Sequence, residues 1–347
     1  MTALSRRRMM VLASALPFSG TRARAEAAGP NAKGYAMPTR GIIDVHSHYL
    51  PEFYAEALIG LGIGTPAIRG WTPEAHLRDM DEAGIEVGLL SAAQNTWYHD
   101  RNAARVMARR CNDYATQMAR AHPGRFGVLV CTPLPFVDLA LEEIAYGLDV
   151  LKCDGVGLYT SYGDKWLGDP AFAPVFEELD RRKALIHVHP MAADCCRHHP
   201  IPEIPEAAIE LGTDTTRAIG QFIFNGSSQR YPNIRMIFSH GGGTMPFLVE
   251  RFQFMEKFPQ NQKLLPQGFL PEARRFFYDT AQCSNRTAMG ALRSIVPVSQ
   301  IVFGSDIPAK PSAPQVASLR SNGVFSPEDL RRIERENILE FLPRWRE

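Results

Sequence analysis

The sequence has no long apolar run and no strong excess of charge of either sign. Its 347 residues include 38 Lys and Arg against 37 Asp and Glu, which gives a net charge of +1. Proteins that bind nucleic acid through its phosphates normally carry a clear basic excess, so we expect no nucleic-acid partner. A transmembrane helix needs about 20 mostly apolar residues in a row, so the mature chain is predicted to have no membrane span.

Cysteine is scarce and lacks the spacing of a metal-binding or redox motif. None of the cysteines forms a Cys-x-x-Cys pair, and most are predicted to be free thiols in the core or in loops: Cys111, Cys131, Cys153, Cys195, Cys196 and Cys283. His198 and His199 follow the adjacent Cys195 and Cys196, but without paired spacing they do not predict a second metal site. The role of the Cys195-Cys196 pair stays open.

Residues 1–25 have the layout of an export signal. The basic segment Ser5–Arg8 precedes the apolar segment Met9–Phe18, and Ala23–Ala25 supplies a small-x-small cleavage pattern. The paired arginines predict a signal peptide of the twin-arginine type, which exports folded proteins, and hence a periplasmic location. The alternatives are a disordered basic tail or a start codon assigned too early, and the protein would then be cytoplasmic. The Ala-, Gly- and Pro-rich residues 26–40 are expected to form a flexible lead-in.

Residues 41–347 alternate short β-like runs with longer helical ones. The predicted strands are Gly41–Val45, Glu86–Ser91, Phe126–Cys131, Gly155–Leu158, Ala184–Val188, Ile234–Ser239, Phe276–Asp279 and Ile301–Phe303. Eight β-then-α units without a change of composition predict a single-domain (β/α)8 barrel, or TIM barrel, with loop insertions. A doubly wound open sheet is the main rival, but it normally has a phosphate-binding glycine turn after its first strand, and none is present.

Histidines gather at the predicted carboxyl ends of the strands, which form the active-site face of such a barrel. His46 and His48 follow strand one and point to the same side, because side chains alternate along a strand. His189 follows strand five, His240 strand six and Asp306 strand eight. Three imidazoles and one carboxylate would bind one divalent cation, with Zn²⁺ favoured and Mn²⁺ as the alternative. His240 would then remain beside the metal as a candidate acid or base.

Each of these residues also has a plainer explanation when it is taken alone. A single His-x-His pair is weak evidence, Asp306 could cap a turn, and His240 could begin a tight glycine turn. His187 lies two residues before His189 and shares its predicted face, so one of the two is expected to lie behind the cation. Taken together, the strand-end residues favour the metal site.

Four sequence motifs resemble those of the amidohydrolase superfamily: Asp44–His48, Ile186–Pro190, Phe238–Gly243 and Phe303–Asp306. Within it the chain is similar to the branch around aminocarboxymuconate semialdehyde decarboxylase, and most similar to proteins described as 6-methylsalicylate decarboxylase-like. The resemblance implies that four side chains hold one divalent metal ion: His46, His48, His189 and Asp306. It makes His240 the unliganded catalytic histidine. Gly157–Tyr159 stands where binuclear relatives carry a carboxylated lysine, which favours a single metal ion.

The resemblance implies a metal-dependent, non-oxidative decarboxylase of a small aromatic acid, salicylate-like or hydroxybenzoate-like, or of an unsaturated carboxylic acid. His240 or Asp306 would help to deliver a proton to the carbon that bears the carboxylate. The main alternative is a metal-dependent hydrolase of a lactone, an amide or a C–C bond, with a metal-bound water as nucleophile. A non-catalytic exported binding protein is the third reading. The resemblance also implies a homodimer.

Three side chains in loops at the same barrel end are expected to contact the ring or carboxylate of the substrate: Tyr49, Arg69 and Trp97. Residues of these types are more often plain surface or packing residues. Residues 191–199, after His189, differ from the aromatic-containing stretch of some branch members. The pocket wall, and with it the identity of the substrate, therefore stays open.

Overall fold

The computed structural model, which describes residues 41–61, 66–93, 99–191 and 203–346, contains one sheet of eight parallel strands in chain order. This arrangement confirms the predicted (β/α)8 barrel. Strands β1 to β8 are Ile42–Tyr49, Ile85–Ala92, Phe126–Cys131, Gly155–Tyr159, Leu185–His189, Arg235–Phe238, Phe277–Asp279 and Ile301–Val302. The short antiparallel pair Ser161–Tyr162 and Lys165–Trp166 lies in the loop after β4. The predicted signal peptide and lead-in, like Cys195 and Cys196, lie outside the described residues.

Helices α1 to α10 cover the outside of the barrel. They are Glu52–Gly60, Pro73–Ala83, Arg101–Ala121, Val137–Ala145, Ala173–Arg181, Glu206–Phe224, Met245–Met255, Arg286–Ile295, Ser312–Ser321 and Pro327–Arg331. Wide turns extend α4 over Tyr146–Leu151 and α10 over Arg332–Glu336, and Asn337–Leu339 completes the last helical stretch. Shorter helical segments are Pro66–Gly70, Pro170–Phe172, Ser227–Arg230, His240–Gly242, Pro259–Gln262, Phe269–Ala273, Val298–Gln300 and Pro343–Trp345. Within the described ranges, no helix is both long and apolar enough to cross a membrane.

Local capping signals explain where several helices begin. Thr72 Oγ1 accepts a hydrogen bond from the backbone N–H of Ala75 at the start of α2, where Pro73 occupies the first turn. Asp100 caps α3 in the same way. Helix α9 was not predicted from the sequence, because it has no side-chain cap and no clear apolar stripe.

Apolar residues form two layers on either side of the strands. The inner layer fills the barrel below the strand ends and includes Ile43, Val45, Val87, Leu89, Leu129, Leu185, Ile237 and Val302. The outer layer lies between strands and helices and includes Tyr54, Phe126, Phe172, Phe176 and Phe222. The free cysteines Cys111 and Cys131 are buried in this outer layer, as predicted. The inner layer closes the barrel floor, so the polar strand ends remain at one face.

Strand β1 is longer than predicted and contains a β-bulge. It runs to Tyr49 rather than ending at Val45, and it has one extra residue relative to β2 between Asp44 and Ser47. Asp44 Oδ1 accepts a hydrogen bond from the backbone N–H of His46 at 2.9 Å, which stabilises the bulge. The bulge allows Val45 to join the inner core while the next residue, His46, also faces inward.

The barrel closes between β1 and the segment that follows β8, and we call this contact the seam. The backbone N–H of Asp306 donates to the carbonyl of His46 at 2.8 Å, and the N–H of His48 donates to the carbonyl of Ile307 at 2.8 Å. Three of the predicted metal ligands therefore also hold the seam together through their backbones.

Candidate metal centre

The four predicted ligands meet at the carboxyl ends of the strands. One nitrogen or oxygen atom from each of His46, His48, His189 and Asp306 lies within 4.8 Å of the others, and all four residues are buried. His46 Nε2 is 3.0 Å from His48 Nε2, and Asp306 Oδ1 is 3.3 and 3.1 Å from these two atoms. The structure therefore brings together the set that the sequence predicted.

Hydrogen bonds fix which nitrogen of each β1 histidine faces the cluster. His46 Nδ1 lies 2.8 Å from Asp279 Oδ2, and because a carboxylate only accepts, Nδ1 carries the proton. His48 Nδ1 lies 3.0 Å from Ser91 Oγ and 3.3 Å from the Ser91 carbonyl, which can only accept. His48 Nε2 is then unprotonated, whereas His46 Nε2 can carry a proton or bind a cation, and both atoms lie beside Asp306 Oδ1. The lone pairs of these nitrogen and oxygen atoms repel one another unless a proton or a cation lies between them.

His189 provides an independent test of whether these residues fit a metal ion. Its Nδ1 atom is buried and has no hydrogen-bond partner among the described residues. A buried ring nitrogen without a partner costs free energy unless a donor or a cation satisfies it. Three imidazoles and one carboxylate form a donor set that Zn²⁺ and related divalent ions bind. The residues present therefore fit one divalent cation.

The charges in the centre also favour a cation. Burial alone would raise the pKa of Asp306, but the charge of His46 and hydrogen bonds with His240 hold it well below its usual range. Burial would likewise lower the pKa of His46, yet the carboxylates of Asp279 and Asp306 raise it to about 10. The pKa of His189 lies well below its ordinary value, chiefly because of burial. The carboxylates of Asp279 and Asp306 thus stabilise positive charge at this point, whether it is that of the His46 imidazolium or that of a bound cation.

Asp279, at the end of β7, is a residue of the centre that the sequence analysis did not select. Its Oδ2 atom is 2.8 Å from His46 Nδ1 and 3.1 Å from His187 Nε2, and its Oδ1 accepts from the backbone N–H of His240 at 2.8 Å. It therefore orients one ligand and fixes the turn that carries His240. His187 lies behind the cluster, as expected for one member of the His187–His189 pair. The only sequence signal for Asp279 was its place at a predicted strand end.

Replacing Asp279 by Asn is expected to lower metal affinity about ten- to hundredfold, the range typical of residues that support a metal ligand. The amide keeps the shape but removes the charge that holds the proton on His46 Nδ1. Competition with a chelator measures the affinity. Asp154→Asn is the matched control, since its buried carboxylate pairs with Arg344 and accepts from the Val128 backbone N–H, away from the centre. Equal affinities in the two variants would contradict the role of Asp279.

His240 lies beside the cluster without belonging to it. Its Nε2 is 3.3 Å from Asp306 Oδ2, and its side chain is 15% exposed, so substrate can reach it. The following turn depends on glycine: a Cβ on Gly243 would lie 2.0 Å from the carbonyl oxygen of Gly212 in α6. An imidazole that is exposed on one side and held by a carboxylate on the other is suited to proton transfer.

Tyr49 does not face the centre, which corrects its assignment as a substrate contact. It follows His48 directly and points to the opposite face of β1, where it is fully buried. Its ring packs against Tyr54 and Tyr114, with ring centroids 6.5 and 6.2 Å away. Tyr49 is therefore a residue of the outer core layer.

The other two expected substrate contacts gain no support from their placement. Arg69 lies on the surface, and its guanidinium pairs with Glu56, with Nε 2.6 Å from Oε1. An arginine held in this way is less available to a carboxylate substrate. Trp97 lies outside the described residues, so its role stays a prediction.

Comparisons with known proteins identify the family of the chain. A family model described as amidohydrolase matches residues 43–344. Decarboxylase yanB of Aspergillus niger is 34% identical, with 87% of this chain and 88% of that protein covered. The 6-methylsalicylic acid decarboxylase of Penicillium expansum is 32% identical and covers 87% of this chain and 96% of its own length. A solved dihydroxybenzoic acid decarboxylase from Polaromonas sp., with bound manganese, has a TM-score of 0.74 at 18% identity and covers 89% and 98% of the two chains.

Proposed function

The chain belongs to the amidohydrolase family, and on that premise we propose that it is a metal-dependent, non-oxidative decarboxylase of a small aromatic acid with a hydroxyl group next to the carboxylate. The observation that supports the proposal is the buried cluster of three histidines and Asp306, together with His240, whose Nε2 lies 3.3 Å from Asp306 Oδ2. Relatives that match over most of their length are named decarboxylases, one of them for 6-methylsalicylic acid. An unsaturated carboxylic acid is the second substrate class.

The protein residues divide the work between binding and proton transfer. The residues that would hold the cation are His46, His48, His189 and Asp306. When bound, a divalent cation supplies Lewis-acid chemistry that fixes the carboxylate and hydroxyl of the substrate and withdraws electrons from the ring. Zn²⁺ is favoured by the imidazole-rich donor set, and Mn²⁺ is the alternative. The buried surroundings exclude water and strengthen these electrostatic contacts.

In this proposal His240 supplies the proton that replaces the carboxylate. Protonated His240 gives its Nε2 proton to the ring carbon that bears the carboxylate, the bond between that carbon and the carboxylate breaks, and its electron pair restores the aromatic ring as CO2 leaves. Asp306 Oδ2, 3.3 Å from His240 Nε2, stabilises the imidazolium and orients it. A proton from solvent restores the histidine.

The test is a screen of the purified protein against salicylates and other hydroxybenzoates, with CO2 and the ring product both measured. We expect CO2 and the decarboxylated phenol in equal amounts, loss of activity on chelation, and recovery with Zn²⁺ or Mn²⁺. A hydrolase of a lactone, an amide or a C–C bond would use the same ligands, and it would instead add water without release of CO2. Activity that is insensitive to thorough chelation would contradict the metal dependence.

We propose that the protein is a homodimer that buries an apolar surface on and next to α7. Phe247 and Phe254 on α7 are 65% and 60% exposed, and Met255 and Leu264 are also exposed. Such an exposed apolar cluster typically marks an interface. The double variant Phe247→Glu/Phe254→Glu is expected to sediment as a monomer under conditions in which the wild-type protein sediments as a dimer. A monomeric wild-type protein would contradict this proposal.

We propose that residues 1–25 direct export through the twin-arginine route. The support is the order of a basic segment, an apolar segment and a small-x-small site in the sequence. Expression with the native leader should give a shortened periplasmic form, and Arg6→Lys/Arg7→Lys should keep the protein in the cytoplasm. Full-length wild-type protein found only in the cytoplasm would show that the leader does not function.

A further inference from the structure

Gln282, in the loop after β7, contacts the metal centre, although it is not one of the residues described for the centre above. The residue is exposed, and its side-chain Nε2 donates a hydrogen bond to Asp306 Oδ2. The amide must present its nitrogen here, because a carboxylate can only accept. Its Oε1 has no hydrogen-bond partner among the described residues. An exposed glutamine therefore donates a side-chain hydrogen bond to a buried carboxylate of the centre.

The backbone of Gln282 is held in a conformation that L-residues rarely adopt. Its φ is 54°. His240, which lies next to the same oxygen of Asp306, has a φ of 54°, and Asp306 itself has a φ of 64°. Among the described non-glycine residues, only Lys152 and Lys183 share a positive φ. Left-handed backbone is strained for residues that carry a side chain, and it persists only where the surroundings enforce it. Three such residues around one carboxylate indicate that the position of that carboxylate is tightly constrained.

A buried glutamine on α9 provides the constraint. Gln315 Oε1 accepts from the backbone N–H of Gln282 at 2.9 Å, and its Nε2 donates to the carbonyl of Ser305, next to Asp306. One side chain therefore ties the loop after β7 to the segment after β8. The backbone of Gln282 therefore cannot move away from Ser305 and Asp306 without breaking this connection.

The two oxygens of Asp306 consequently have different surroundings. Oδ1 lies 3.3 and 3.1 Å from the Nε2 atoms of His46 and His48, on the side of the proposed cation. Oδ2 accepts from Gln282 and lies 3.3 Å from His240 Nε2. A carboxylate can bind a metal ion through one oxygen or through both. In this protein the second oxygen is already committed.

We propose that Gln282 is a positioning residue that restricts Asp306 to a single-oxygen contact with the cation. Three imidazole nitrogens and one carboxylate oxygen would then hold the metal ion. An acid with a neighbouring hydroxyl needs two further positions, one for each of its oxygens. If Asp306 were free to bind through both oxygens, it would compete for one of them. The part concerning the acid rests on the proposed function, whereas the contact of Asp306 does not.

The test compares Gln282→Met with Gln229→Met in protein loaded with Co²⁺, whose visible spectrum reports coordination. Methionine has a similar size but cannot donate a hydrogen bond. Gln229 is the matched control, since its Nε2 also donates to a buried carboxylate, that of Glu272, at 3.2 Å, away from the centre. For Gln282→Met we expect an unchanged Co²⁺ content and a weaker, shifted visible spectrum. Salicylate affinity should fall by about tenfold or more, which is the contribution of one charge-assisted hydrogen bond. Binding of benzoate, which lacks the hydroxyl, should change much less.

Two results would overturn the proposal. One is a Gln282→Met protein whose spectrum and salicylate affinity equal those of Gln229→Met. The other is a crystal structure of the metal-loaded wild-type protein with both Asp306 oxygens on the ion, a measurement that does not depend on any variant folding. Neither readout requires turnover, so the Gln282 proposal can hold or fail separately from the proposed reaction. In the active enzyme, the same variant should raise KM for the hydroxy acid more than it lowers kcat.

Discussion

Replacing Asp306 by Asn is expected to weaken metal binding strongly and, with it, to lower turnover. The carboxylate is the one negative group among the four predicted ligands, and its Oδ1 lies within 3.3 Å of the Nε2 atoms of His46 and His48. Without that charge, metal affinity should fall by more than the ten- to hundredfold typical of residues that only support a ligand. Because a catalytic cation stabilises the transition state by several kcal/mol, the rate of CO2 release should fall by at least about a thousandfold.

Asparagine is the right replacement because it tolerates left-handed backbone, and Asp306 has a φ of 64°. Elemental analysis after dialysis gives the metal content, and CO2 release gives the activity. Asp154→Asn controls for the loss of a buried carboxylate as such. If Asp306→Asn retained one equivalent of metal and full turnover, Asp306 could be neither a ligand nor a catalytic group.

Replacing His240 by Ala is expected to leave the metal content intact and to lower kcat by a factor of about a hundred or more, the usual contribution of a positioned acid. Its imidazole lies outside the group of four ligands, with Nε2 3.3 Å from Asp306 Oδ2. Loss of the imidazole therefore removes the proton donor without removing a ligand. KM should change little, because the cation still binds the carboxylate of the substrate.

Two further variants make this result specific. His240→Asn suits the positive φ of the turn better than Ala does, so similar losses in both variants would exclude a backbone effect. His122→Ala removes a histidine at the end of α3, beside Phe126, and should leave kcat unchanged. Full activity of both His240 variants would assign the proton transfer to another group.

Residues governed by strand periodicity could be placed from the sequence. Alternation along β1 predicted that His46 and His48 share a side, and the strand count placed His189 and Asp306 at the same barrel end. The same alternation argues against Tyr49 as a substrate contact, because the residue after an inward His48 must face outward. That error arose because β1 was predicted to end at Val45, so Tyr49 was treated as a loop residue.

Residues whose roles depend on contacts between loops gave no such signal. Asp279 lies at the end of a short strand, and that position alone does not mark a functional residue. Its hydrogen bonds to His46 and His187 form only once β7 has joined the barrel. Gln282 lies in a loop, and Gln315 lies in a helix without a clear apolar stripe. Neither spacing nor residue type marks a neutral amide that positions a carboxylate from a distant loop.

The seam implies that the protein can bind its metal ion only after most of the chain has been synthesised and the barrel has closed. Asp44 and Ser305 hydrogen-bond across it although they are 261 residues apart, so almost the whole chain must be synthesised before both halves of the ligand set exist. An ion that binds only the closed barrel stabilises the folded state by mass action. A protein exported in folded form would therefore carry the ion of the compartment in which it was made, and the cytoplasmic supply, rather than the periplasmic one, would decide which metal it contains.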